Sequence, residues 1–330
     1  MKFNYSKYKK TIFSNNFDFN EIALLAFEYQ YNNNNIYKNF CDFFKKKPKN
    51  VKTITEIPFL PVEFFKNNII ISGNEKEEIV FLSSSTTSTT ESRHYVTDLS
   101  IYEESFITTF KKFYSSPKNY CILGLLPSYL ERNGSSLIYM LESLISLSKN
   151  SNSGFFLNEF DKLLSIIINL EKKSEKYILF GVSYALIDFS EKCNIELKNA
   201  IIIETGGMKG KRQEISKLQL HSLLKKNFSV QEIHSEYGMT ELLSQAYSIK
   251  NQLFECPKYM KILIRDIYDP LSVKNKSKGI INIIDLANIN SCCFVASSDL
   301  GEVYEDGNFR VLGRLDNSEI RGCNLLLNEF

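Results

Sequence analysis

At 330 residues the chain has the length of one large α/β domain or two closely packed ones, which excludes a miniprotein held together by disulfides. Hydrophobic residues make up 43% and charged residues 24%, an ordinary globular balance, and a chain of this size buries about 75% of its unfolded surface. Forty Lys and Arg against 38 Asp and Glu leave a net charge of +2, spread along the chain, which gives no electrostatic footprint for nucleic acid.

The N-terminus is polar, and its first apolar run, Ile22–Phe27, is confined between Glu21 and Glu28. It is far too short for a signal peptide or a membrane span, so a cytoplasmic protein is expected. Ile22, Leu25, Ala26 and Tyr29 fall at helical spacing, and the asparagine tract Asn32–Asn35 reads as a turn before Ile36–Phe44. Pro58 and Pro61 flank Phe59 and Leu60, with Phe64 and Phe65 behind them, which reads as an extended apolar clamp.

From residue 78 to about 245 one pattern repeats: a short apolar run, a loop of small residues, then a helix. Ile79–Leu82 precedes the helix Leu99–Tyr114, Cys121–Leu126 precedes Leu137–Leu147, Tyr177–Phe180 precedes Ser183–Phe189, and Ala200–Ile203 precedes Ile215–Phe228. The alternation predicts an α/β fold with a largely parallel sheet covered by helices, its ligands at the carboxyl ends of the strands. After residue 255 the apolar runs become strand-like (Lys261–Ile267, Gly279–Leu286, Cys292–Ala296, Phe309–Leu312), and Glu305-Asp306-Gly307-Asn308 reads as a hairpin turn. The expected domains are 1–254, an α/β core with an N-terminal helical segment, and 255–330, a β-rich module with a short C-terminal tail.

The seven cysteines are odd in number and never spaced Cys-x-x-Cys, and the three histidines form no His-Glu-x-x-His pair, so neither a disulfide framework nor a zinc site is expected. Four stretches can carry chemistry. Ser83, Ser84, Ser85, Thr86, Thr87 and Ser88 open a run of hydroxyl residues after an apolar strand, offering backbone N–H groups and hydroxyls to an anion, with Arg93 supplying charge. The alternative is a plain low-complexity loop. Neither a Walker P-loop nor a dinucleotide fingerprint is present. In Glu204-Thr205-Gly206-Gly207-Met208-Lys209-Gly210, paired glycines let a flat ligand approach the backbone. Tyr237-Gly238-Met239-Thr240-Glu241, with a helix expected from Glu241, supplies an aromatic face, a glycine, a hydroxyl and a carboxylate able to stack a base, contact a phosphate and hold Mg²⁺. Asp299 is expected at a strand end, suited to a ribose diol, and Arg314 follows one hairpin later.

Taken in this order, the four segments resemble the adenylate-forming (acyl-CoA synthetase and ligase) superfamily. The resemblance implies ATP and Mg²⁺, with Ser83–Ser88 gripping phosphates, Gly206 and Gly207 lining the adenine, Tyr237 stacking on it, and Thr240 on the α-phosphate. Glu241 would then hold Mg²⁺, and Asp299 and Arg314 the ribose. Further stretches are similar to one branch, the acyl-protein synthetases that activate fatty acids for a fatty-acid reductase in bacterial bioluminescence. They are Pro58-Phe59-Leu60-Pro61-Val62-Glu63-Phe64-Phe65-Lys66, Leu125-Leu126-Pro127-Ser128-Tyr129-Leu130-Glu131-Arg132, Glu204–Gly210 and Arg321-Gly322-Cys323. That branch implies a fatty acid substrate, an acyl-CoA reductase-type protein partner and a cysteine near the C-terminus that accepts the acyl group, here Cys323.

Two departures bear on activity. Ser85 and Ser88 stand where the superfamily usually has glycines, and with about fifteen residues after Arg314 the superfamily's mobile C-terminal domain and its lysine are expected to be lacking. Lys209 and Lys211, at the glycine loop, are candidates to substitute for that lysine electrostatically, and spacing alone does not decide between these and no substitute. Two rival readings remain. One is a degenerate fold of this kind that binds an acyl chain or a partner without adenylation. The other is a serine esterase, since Gly181-Val182-Ser183-Tyr184-Ala185 approaches the nucleophile elbow of α/β-hydrolases, with Ser183 as the nucleophile.

Overall fold

The computed structural model describes residues 3–83, 91–127, 133–193, 195–207, 212, 213, 215–275 and 277–315. In chain order the elements are α1 (Tyr5–Ile12), α2 (Phe19–Asn33), α3 (Asn35–Phe43), β1 (Leu60–Pro61), α4 (Phe64–Asn67), β2 (Ile79–Leu82), β3 (Arg93–Val96), α5 (Leu99–Tyr114), β4 (Cys121–Leu125) and α6 (Ser136–Ser148). They continue with β5 (Gly154–Phe155), α7 (Phe160–Lys172), β6 (Tyr177–Val182), α8 (Ser183–Ser190), β7 (Ala200–Thr205), α9 (Lys217–Phe228), β8 (His234–Tyr237) and β9 (Ala246–Ser248). The last strands are β10 (Met260–Arg265), β11 (Val273–Lys274), β12 (Ser277–Asp285), β13 (Phe294–Val303) and β14 (Phe309–Arg314). Two compact units result: one holds Met1–Glu78, Ser92–Ile101 and Glu255–Phe330, the other Ile79–Glu91 and Tyr102–Phe254. The expected grouping of residues 1–254 thus differs from the observed one, in which the N-terminal segment folds with the C-terminal strands.

The physical reason lies in an aromatic cluster within the first unit. Phe294, at the start of β13, meets Phe27 of α2, Tyr37 of α3 and Phe59, with ring centroids 6.0 to 6.1 Å apart. The apolar clamp read from Pro58–Pro61 is the strand β1, which pairs in parallel with Val295 and Ala296. Gln30, fully buried on α2, donates to the carbonyls of Asn288 and Ile289 at 3.0 and 2.8 Å and accepts from the Cys293 N–H at 2.9 Å, so the turn before β13 has backbone partners inside the core. The asparagine tract, expected as a turn, is mostly helical: Asn32 and Asn33 close α2, Asn35 opens α3, and the break is Asn34 alone, whose side chain accepts from the Tyr37 N–H at 3.0 Å to cap α3.

The sheet of this unit runs β1-β13-β12-β10-β11, with β14 added to β13, and every pairing except β1–β13 is antiparallel. The turn at Glu305–Asn308 closes as expected, Tyr304 N–H donating to the Asn308 carbonyl at 2.9 Å. The strand expected at Cys292–Ala296 instead starts at Phe294 and continues to Val303. Cys292 and Cys293 are fully buried, and burial pushes the Cys292 thiol up to about 12.

In the second unit a six-stranded sheet is ordered β5-β4-β6-β7-β8-β9, all parallel except β9, and β2, expected as the first strand of the parallel sheet, lies outside it. Every residue of β4 and β6 is buried, as expected where helices cover both faces of a parallel sheet. The helix expected from Glu241 is absent. Leu242 N–H bonds the Met239 carbonyl in a turn, and the chain then pairs back along β8, Ser248 opposite Ser235 and Ala246 opposite Tyr237. All three residues of β9 are buried, so the ladder satisfies backbone groups that water does not reach. Among the described residues no helix is long and apolar enough to cross a membrane.

Candidate active site

The carboxyl ends of β7 and β8 lie side by side in the second unit, and two of the chemistry-bearing stretches leave from them. Gly206 and Gly207 follow β7, both exposed, and Gly206 has φ +66°, a left-handed conformation that costs a side chain about 1 kcal/mol or more. Tyr237 ends β8, half-buried, its ring 6.0 Å from that of Phe254 in an edge arrangement. Gly238 is exposed, Thr240 half-buried and Glu241 buried. A Cβ on Gly238 would lie 2.5 Å from Glu236 Oε1, so any side chain there would have to displace that carboxylate.

Behind these ends lies a buried polar network. Glu204, wholly inaccessible, accepts from Ser235 Oγ at 2.5 Å and from the Lys217 ammonium, with His221 Nε2 at 3.4 Å and Ser183 Oγ at 3.2 Å. Burial raises its pKa, but the Lys217 charge and the bonds from His221 and Ser235 outweigh it and hold the carboxyl at about 2. Lys217 also stands 5.8 Å from the Phe254 ring centroid, which sets a cation beside the aromatic pair Phe254 and Tyr237. On the next residue pair, Glu236 accepts from the Thr205 hydroxyl. Burial, with a smaller push from the Glu204 charge, raises Glu236 to about 7 against the opposing Thr205 bond and Lys217 charge. Gln245, 5% exposed, packs its Cγ 3.3 Å from the Cβ position of Gly238, and among the described residues its carboxamide oxygen has no hydrogen-bond partner.

This network answers the esterase reading. Ser183 Oγ meets Glu204 Oε2 at 3.2 Å and the Gly206 carbonyl at 3.1 Å, and His221 is bonded to Glu204 and Ser235 instead. A hydroxyl that donates to a carboxylate and a carbonyl, with no imidazole to take its proton, is not an activated nucleophile.

In the first unit, Asp299 and Arg314 are register partners across β13 and β14, with Asp299 Oδ1 3.7 Å from Arg314 Nε. Asp299 therefore sits within a strand and not at a strand end; the register shift between Leu300 and Gly301 is the irregularity beside it. Arg93 is the exposed first residue of β3, a strand that the sequence reading did not separate from the hydroxyl run, and Ser83 is half-buried just after β2. Ser84, Ser85, Thr86, Thr87, Ser88, Lys209, Lys211 and Cys323 lie outside the described residues.

Glu204 and Thr205 open the glycine stretch, whereas Ser235, Glu236, Lys217 and Gln245 carry no expected role from the sequence.

A family model described as acyl-protein synthetase, LuxE, matches residues 3–330. No curated protein sequence matches the chain. Among solved structures, ATP-bound MatB from Rhodopseudomonas palustris is 13% identical with a TM-score of 0.53, over 73% of this chain and 49% of that one. A 2-hydroxyisobutyryl-CoA ligase in complex with 2-HIB-AMP and CoA is 12% identical with a TM-score of 0.67, over 95% and 69%. The o-succinylbenzoate CoA synthetase MenE from Bacillus subtilis is 16% identical with a TM-score of 0.51, over 72% and 49%. The chain thus spans about half the length of MatB and MenE, and these likenesses show that its fold is that of the N-terminal domain of adenylate-forming enzymes.

Proposed function

Because the chain belongs to the LuxE family of acyl-protein synthetases, which sets it among AMP-forming ligases, we propose that it activates a long-chain fatty acid with ATP and carries the acyl group on Cys323 for a reductase partner. The observation that carries this reading is that the Gly206–Gly207 turn and the Tyr237–Glu241 segment leave the same end of two adjacent parallel strands, where an α/β sheet binds its ligand. ATP in the MatB structure and an acyl-AMP in the 2-hydroxyisobutyryl-CoA ligase structure support a nucleotide as that ligand.

The residues present fit such a group. Gly206 and Gly207 expose backbone to a flat base and Tyr237 offers a ring, and the ribose role that the resemblance implies for Asp299 and Arg314 falls on an acceptor and a donor of the first unit. Glu241 is one hard oxygen ligand, and Mg²⁺ commonly takes one or two carboxylates and completes its shell with phosphate oxygens and water. When bound, Mg²⁺ would neutralise charge on the departing pyrophosphate.

In the first step a carboxylate oxygen of the fatty acid attacks the α-phosphorus, the bond to the bridging oxygen breaks, and pyrophosphate leaves. The Thr240 hydroxyl donates to an α-phosphate oxygen, and orientation plus fixed dipoles supply the acceleration. In the second, the Cys323 sulfur, its proton lost to solvent, attacks the acyl carbonyl, the carbon–oxygen bond to phosphate breaks, and AMP departs. Five of the six other cysteines are poorly placed as acceptors: Cys41, Cys121, Cys193, Cys292 and Cys293 are buried, and burial pushes each thiol pKa up, away from the nucleophilic thiolate, which leaves the half-buried Cys256 as the rival to Cys323 that the cysteine variants must separate. The test is ATP–pyrophosphate exchange that requires a fatty acid. Exchange lowered about 10²-fold or more by Glu241→Gln is expected; no exchange with any carboxylate would leave the binding-only reading in its place.

A further inference from the structure

The backbone ladder between β7 and β8 is short. Six residue pairs register β6 against β7, from Tyr177 and Ala200 to Val182 and Thr205, whereas two register β7 against β8, Ile203 with His234 and Glu204 with Ser235. Side chains take over where that ladder stops. Glu204 of β7 accepts from the Ser235 hydroxyl of β8, and one residue later the Thr205 hydroxyl of β7 donates to Glu236 of β8.

The two pairs are crossed: each strand contributes one carboxylate and one hydroxyl. Successive strand residues point to opposite faces, so the pairs hold the strands together from both sides of the sheet. The first pair is held further by Lys217 and His221 of α9 and Ser183 of α8. On the second pair, the Glu236 charge acts on Tyr102 and Tyr114 of α5, and its carboxylate fills the space behind Gly238. All four residues of the two pairs are nine-tenths or more buried. A slip of one residue between the strands would turn each partner to the wrong face. Directly beyond the pairs come Gly206 and Tyr237.

We propose that the crossed pairs Glu204–Ser235 and Thr205–Glu236 are positioning residues for the nucleotide, fixing the offset between the Gly206–Gly207 turn and the Tyr237–Gly238 segment and so the grip on the adenine. The proposal rests on the adenylation reading and adds to it the device that sets the pocket.

The test compares Thr205→Val, which keeps the shape and removes the hydroxyl, with Thr205→Ser, which restores it, in the full chain. Hydrogen–deuterium exchange without nucleotide reads the segment 237–241 directly, and fatty-acid-dependent ATP–pyrophosphate exchange reads the consequence. Thr205→Val is expected to speed amide exchange in 237–241 and raise the KM for ATP about tenfold with kcat within about twofold, and Thr205→Ser to return both to wild-type values. Unchanged amide exchange, or faster amide exchange with an unchanged KM, would overturn the proposal. If the wild-type chain exchanges no pyrophosphate, the adenylation reading fails, and calorimetric titration with Mg·ATP replaces KM; absence of ATP binding would then overturn the positioning role too. Ser235→Ala carries the same expectation should Thr205→Val fail to fold.

Discussion

Asp299 and Arg314 face each other as register partners across β13 and β14, with 3.7 Å between Oδ1 and Nε, and the arginine side chain is 72% exposed. An exposed pair at this distance contributes little to folding, typically about 0 to 1 kcal/mol. Under the proposed function the pair is a donor and an acceptor for ribose hydroxyls. Arg314→Ala is expected to change the urea midpoint by less than about 0.5 kcal/mol in stability and to weaken ATP binding about tenfold, as read by calorimetric titration. A large stability loss with unchanged ATP affinity would reassign Arg314 to the scaffold.

Gly238 has a different reason for its identity. With Glu236 Oε1 2.5 Å from where a Cβ would stand, Gly238→Ala must displace that carboxylate or the turn. A loss of about 1 to 3 kcal/mol is expected in chemical denaturation. Truncating the obstacle should relieve it, so Gly238→Ala added to Glu236→Ala should cost well under the single-variant loss. Additive costs would contradict the steric account.

The fold was largely legible because its strands are continuous apolar runs and its helices carry clear periodicity. β4, β6, β7 and the helices α5, α6, α8 and α9 fall within a few residues of expectation. α7 was missed: its buried Leu163, Ile167 and Leu170 keep helical spacing, but the unbroken Ile166–Ile168 run obscures the period. The helix expected from Glu241 was wrong because pairing with β8, a tertiary property, decided the conformation of β9. Motif order singled out the segments that leave β7 and β8 and, in the first unit, the Asp299–Arg314 pair. Glu236 and Lys217 were not legible, since what distinguishes them is burial and cross-strand contact, which a linear pattern does not encode.

Stability should show two opposed titrations. Glu236, raised by burial to about 7 from an unfolded carboxylate value of about 4.3, holds its proton more tightly in the folded state. Its contribution is fully present below about pH 4.3 and is lost as pH rises through about 7. His234, lowered by burial to about 4 from about 6.5, acts in reverse: its contribution is present above about pH 6.5 and lost as pH falls through about 4. The two slopes offset each other between about pH 4.5 and 6.5, and Glu236 alone acts from there to about 7.5. Urea denaturation of Glu236→Gln should therefore show stability that rises with pH from about 4.5 to 6.5 and no decline above it, whereas the wild type declines above about pH 6.5. Parallel curves would show that Glu236 does not titrate in this range.

The central claim is that an activated acyl group passes from AMP to the sulfur of Cys323. Intact-protein mass spectrometry after incubation with ATP, Mg²⁺ and a long-chain fatty acid tests it most directly. The wild-type chain should gain the mass of one acyl group, removable by hydroxylamine, and Cys323→Ala should gain none while still forming acyl-AMP. An adduct that persists in Cys323→Ala, or one that resists hydroxylamine, would contradict the claim.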